Sequence, residues 1–90
     1  MSRFPYVAWF LDLSMPDGDQ DREWVACFYV SASNEDTAKS WGDIVANSYC
    51  SRHTDMRFLS SYIDRSSAPW PDNTPTVAYG EMPSDDQIGW

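Results

Sequence analysis

Hydrophobic positions in this chain cluster into two dense runs near the N-terminus, one helical stripe in the middle and two shorter runs after it. Phe4 to Leu13 (FPYVAWFLDL) is rich in aromatic and β-branched residues and closes in the turn cluster Ser14-Met15-Pro16-Asp17-Gly18-Asp19, which predicts a strand over 4–13. Glu23 to Ala32 (EWVACFYVSA) predicts a second strand over 23–32, and two strands adjacent in sequence most simply pair antiparallel.

A helix is predicted over 34–51. Ser33 is placed to cap it, with Asp36 three residues on where a capping box wants an acid, and Glu35 and Asp36 sit in the positive field of the helix N-terminus. Ala38, Trp41, Gly42, Val45 and Tyr49 share one face at helical spacing, while Asp36, Lys39, Asp43 and Asn47 share the other, which is expected to meet solvent. Gly42 lies inside the apolar stripe, where it lets the helix come close to a sheet, with Trp41 filling the space beside it. Met56 to Asp64 predicts a third strand, Ser66 to Pro75 a proline-rich loop, and Thr76 to Met82 a short fourth strand. An acidic and then apolar tail, 83–90, follows.

The order ββαββ predicts a single α+β domain over 1–90. It is a two-layer sandwich with a four-stranded, mostly antiparallel sheet and one helix on one face. The strand–helix–strand crossover sets the second and third strands parallel.

The two first strands do not alternate as a half-exposed sheet should. Phe4, Tyr6, Ala8 and Phe10 point one way, but Val7, Trp9, Leu11 and Leu13 point the other. Likewise Trp24, Ala26, Phe28 and Val30 oppose Val25, Cys27 and Tyr29. Both faces are apolar, and one helix covers part of one. The candidate covers for the second face are the chain's own last 25 residues with Trp70, Ile88 and Trp90, a second copy in a homodimer, or a different protein or apolar ligand.

Composition sharpens that picture. Ninety residues bury only roughly 60–65% of the surface the unfolded chain exposes, so little apolar surface can be left idle. Fourteen residues are aromatic, and fourteen acids face six bases for a formal net charge of −8. Such a charge repels nucleic acid and anionic membranes, and aromatic surface is over-used where proteins meet proteins. Direct nucleic-acid binding and membrane association are therefore not expected. Two cysteines make no disulfide framework, and no apolar run reaches the ~20 residues of a membrane span, so a cytoplasmic protein with reduced thiols is expected. Arg57 and Arg65 are candidates for pairing with strand acids.

Candidate chemistry is sparse. Asp17-Gly18-Asp19-Gln20-Asp21-Arg22-Glu23 begins like a calcium loop. The glycine of that pattern would fall on Arg22 and its bidentate glutamate on Phe28, so the requirement fails. Asp17, Asp19, Asp21 and Glu23 read instead as a solvated acidic loop suited to a basic partner. Cys50, His53 and Asp55 carry the residue types of a nucleophile, a base and an orienting acid, but without supporting spacing; the plain reading is a helix C-terminus where Arg52 and His53 meet the negative end of the dipole. No catalytic, cofactor or metal residues are assigned. Trp70, held between Pro69 and Pro71, and Trp90 and Ile88 in the tail are the apolar partner-binding candidates.

The expected function is that of a small acidic, non-enzymatic interaction protein holding a basic protein partner, as an inhibitor, immunity or regulatory factor. The alternatives are a ligand-binding or catalytic domain with an aromatic cavity, and a DNA mimic occupying a DNA-binding partner.

Overall fold

Apolar strand runs and a 3.6-residue stripe in the helix build this fold. The computed structural model describes residues 2–16, 18, 22–66 and 70–88. Its elements are β1 (Ser2–Asp12), β2 (Glu23–Ala32), α1 (Glu35–Arg52), β3 (Met56–Ile63), β4 (Thr76–Ala78) and the single turn α2 (Asp85–Ile88). The sheet order is β3-β1-β2-β4. β1 pairs antiparallel with both β2 and β3, and β4 joins β2 in parallel. The fold is the expected α+β arrangement with four strands and one main helix. β2 and β3 run in the same direction as predicted, but β1 lies between them.

Three local expectations are corrected. Asn34, not Ser33, caps α1: its backbone is extended and its side chain accepts from the Thr37 amide at 2.9 Å. β4 ends at Ala78 rather than 82 because Gly80 adopts a positive φ of 88° and Glu81 N donates back to Ala78 O at 3.0 Å, turning the chain. The tail contains a helical turn, α2, with Ser84 Oγ accepting from Gln87 N.

The core lies between the sheet and α1. Tyr6, Ala8 and Phe10 of β1 and Phe28, Val30 and Ala32 of β2 are fully buried against Ala38, Val45 and Ala46 of the helix. Gly42 meets the sheet at the ring of Tyr6. Phe10 stacks on Trp24 at 4.6 Å, and both meet Tyr49 edge-on. After β4 the chain forms a strap beside α1. Trp41 packs on Tyr79 and donates its indole N–H to Glu81 O, and further along Asp85 reaches Arg52 and His53. Ile88 at the end of the strap is buried in the same core. The strap closes the helix side of the sheet, not the second face.

Candidate interaction site

The second face is built by the odd-numbered residues of β1. The strand register sets them in rows across three strands. Glu23, Leu11 and Arg57 form the first row, Val25, Trp9 and Ser60 the next, and Cys27, Val7 and Tyr62 the third. Val7 at the centre is nearly covered, but Trp9 is 36%, Val25 42% and Tyr62 49% exposed. Leu59, the extra residue where the β1–β3 register shifts, is 43% exposed. Cys27 is exposed in the same surface.

The far end of this face is closed by the proline-rich loop. Tyr29 meets the ring of Trp70 at 5.2 Å, and the Arg3 guanidinium lies 4.4 Å from the Tyr29 ring centroid. Trp70 Nε1 donates to Asp64 Oδ2 at 3.3 Å, and the Ser66 amide donates to Asp64 Oδ1 at 2.9 Å. Those two donors, the amide first, hold the Asp64 carboxyl below its ordinary range. Partial desolvation, and then the Asp64 charge, push the Cys27 thiol up, which keeps it protonated and weakly nucleophilic.

The sequence-predicted site residues thus separate. Trp70 is half-buried against the chain's own Tyr29, Ile88 is 7% exposed and belongs to the core, and Glu23 stands exposed at the open end of the face. Asp17, Asp19, Asp21 and Trp90 lie outside the described residues. The exposed residues Trp9, Val25 and Tyr62 were not singled out as partner-binding from the sequence. The signal was there in the failure of strands 4–13 and 23–32 to alternate.

Two polar clusters lie on the helix side. Asp43 is the hub of the first. Its Oδ1 accepts from the Tyr6 hydroxyl at 2.7 Å and from Ser61 Oγ, and its Oδ2 from Lys39 Nζ at 3.1 Å. The expectation that Asp43 faces solvent is therefore overturned: the buried Tyr6 hydroxyl needs an acceptor and finds it there. In the second cluster His53 Nε2 and Arg52 Nη1 bracket Asp85 at 2.9 and 3.0 Å, and His53 stacks on Tyr49 at 4.3 Å. Asp85, rather than the helix dipole alone, holds Arg52 and His53. Burial pushes the Cys50 thiol up, the opposite of what a nucleophile requires. Arg65 pairs with Glu35 of α1 at 2.7 Å rather than with a strand acid. Among the described residues no group of three His, Cys, Asp or Glu side chains is placed to hold a metal ion.

A shallow cleft of about 240 Å³ lies between α1 and β3, lined by Glu35, Asp36, Lys39, Tyr62, Ile63 and Arg65. Glu35 and Arg65 pair across it, and Lys39 is held along the helix by Asp43, so its lining is charged and polar rather than apolar. No helix of the described residues is long and apolar enough to cross a membrane. Comparison of the chain with protein-family models, curated proteins and solved structures finds no match.

Proposed function

We propose that the chain is a small acidic interaction protein, without enzymatic activity, that holds a basic protein partner on its open sheet face as an inhibitor, immunity or regulatory factor. The observation that carries this reading is the exposure of Trp9, Val25 and Tyr62 in adjacent rows of one face, while the strap and α1 close the other. Contiguous apolar surface of this kind marks interaction sites in soluble proteins. A net charge of −8 favours a cationic partner and opposes the approach of a second copy.

The test uses Cys27 as a reporter, because it stands in the face itself. The full chain, immobilised through its N-terminus, is offered basic proteins fractionated from its native host, and Cys27 alkylation is measured with and without the captured protein. The reading expects one captured species that slows Cys27 alkylation, binds more weakly as salt rises, and is lost from Val25→Asp. Capture that leaves Cys27 reactive, or that survives in Val25→Asp, refutes it. A mass that doubles with concentration while Cys27 becomes protected would assign the face to a homodimer instead.

A further inference from the structure

The face presents side chains and almost no free backbone. A segment docking on it must arrive with its own amides and carbonyls already paired, since apolar side chains offer them nothing. Pairing by strand addition needs a sheet edge instead. The long edge, β3, is interrupted by the register shift between Trp9 and Phe10, a bulge of the sort that blunts edges against added strands. β4 pairs only with residues 29–31, so a strand added beside Cys27 would pair along residues 23–28 of β2, and a strand-period peptide tests that alternative. The occupant that satisfies its backbone internally is an α-helix.

The dimensions agree. The outer two of three adjacent strands lie ~10 Å apart, about one helix diameter. From Val7 to Leu13 the open face runs ~20 Å at ~3.3 Å per residue, the length of ~13 helical residues at ~1.5 Å rise. Beyond Val7 the Tyr29–Trp70 pair closes the face and fixes one end of the seat. With α1 on the opposite side, a docked helix completes a three-layer helix–sheet–helix sandwich. Glu23 borders the open end, Arg3 at the closed end is engaged with Tyr29, and the chain as a whole is strongly anionic. Arg57 is the one base in the rows described above.

We propose that the open face receives a cationic amphipathic helix of a partner protein, its apolar stripe on Trp9, Val25 and Tyr62 and its basic side toward solvent and Glu23 at the open end. This rests on the face being the interaction site. Two synthetic peptides of ~18 residues with identical Leu/Lys composition separate the possibilities, one patterned with helical and one with strand period. Each is titrated into the full chain while Cys27 alkylation is followed by mass spectrometry and peptide helicity by circular dichroism. The proposal expects the helical-period peptide to gain helicity and slow Cys27 alkylation by at least about tenfold, roughly 1.4 kcal/mol, with the strand-period peptide inert. Val25→Asp, which raises the negative charge, should abolish the protection, and Tyr62→Ser, at the most exposed of the three, should weaken it. Equal protection by both peptides, or undiminished protection in Val25→Asp, means charge attraction alone and overturns the helix. Protection by the strand-period peptide only leaves the face as the site but overturns the helix. Protection by neither overturns the face itself and the helix with it.

Discussion

Gly42 of α1 stands directly over the ring of Tyr6, so close that a Cβ on the glycine would fall 2.7 Å from Tyr6 Cζ and nearer still to Cδ1 and Cε1. The absence of one carbon sets the spacing of helix and sheet. Tyr6 is fully buried in the rigid middle of β1, so its ring has nowhere to retreat.

Gly42→Ala therefore tests two opposing effects. Alanine favours a helix interior by ~1 kcal/mol over glycine, while overpacking a core costs ~1–3 kcal/mol. The contact is with ring atoms of a buried tyrosine whose hydroxyl is tied to Asp43, so the steric cost should win. A net loss of up to about 2 kcal/mol is expected in urea unfolding. Truncating the ring with Tyr6→Leu should relieve the alanine, so the double variant should lose less than the two single losses together. A stabilised Gly42→Ala would show that the helix can ride further out.

Asp43 is the counterpart of that contact. Its carboxylate accepts from the Tyr6 hydroxyl and from Ser61, so Asp43→Leu takes away the charged acceptor of a buried phenol and leaves it only the Ser61 hydroxyl. The expected cost is about 1–3 kcal/mol. Tyr6→Phe introduced into Asp43→Leu should return part of it, because the poorly satisfied hydroxyl goes with it. A neutral Asp43→Leu would mean that water replaces the carboxylate at no cost.

How far the sequence shows this arrangement can be read from Asp43 itself. The 3.6-residue stripe placed Ala38, Gly42, Val45 and Tyr49 on the sheet correctly, because burial follows period wherever side chains are apolar. The same stripe puts Asp43 at the margin of the buried face. A period cannot tell a marginal aspartate that meets water from one that meets a tyrosine on a strand 37 residues away. The second sheet face was legible for the same reason as the helix stripe, since Trp9 and Val25 break an alternation. The path of the tail was not legible: burying Ile88 on either side of the sheet satisfies the pattern equally, and the pairing of Asp85 with Arg52 and His53 decides it.

That decision has a direct consequence for the strap. Ile88→Ala should cost about 2–4 kcal/mol, the range for emptying a packed core position. Asp85→Asn removes partly exposed ion pairs and should cost under about 1 kcal/mol. Deleting residues 83–90 should lower the melting temperature and expose a dye-binding surface on the helix side. Cys27 alkylation in the folded truncated chain should stay at the full-length rate, since the strap does not lie over that face. Faster Cys27 alkylation in the folded truncated chain would place the tail on the second face after all.

Alkaline pH reports on the same buried phenol. Burial first, and then the hydrogen bond to Asp43, push the Tyr6 hydroxyl well above its ordinary value of 10.0, and burial also raises Tyr49. A raised folded value means that folding opposes ionisation. Below pH 10.0 both states hold the proton and stability does not change on this account. Above it the unfolded chain releases protons that the folded chain keeps, so stability falls as pH rises toward the folded value. Urea unfolding from about pH 8 to 11 should show a plateau and then a decline. Tyr6→Phe has no proton to withhold at this position. Its stability is lower at neutral pH through the lost bond to Asp43, but its alkaline decline should be shallower, so the two curves converge as pH rises. Parallel curves would place the alkaline sensitivity elsewhere, with Tyr49 the next raised group, and would show that the Tyr6 hydroxyl is within reach of water.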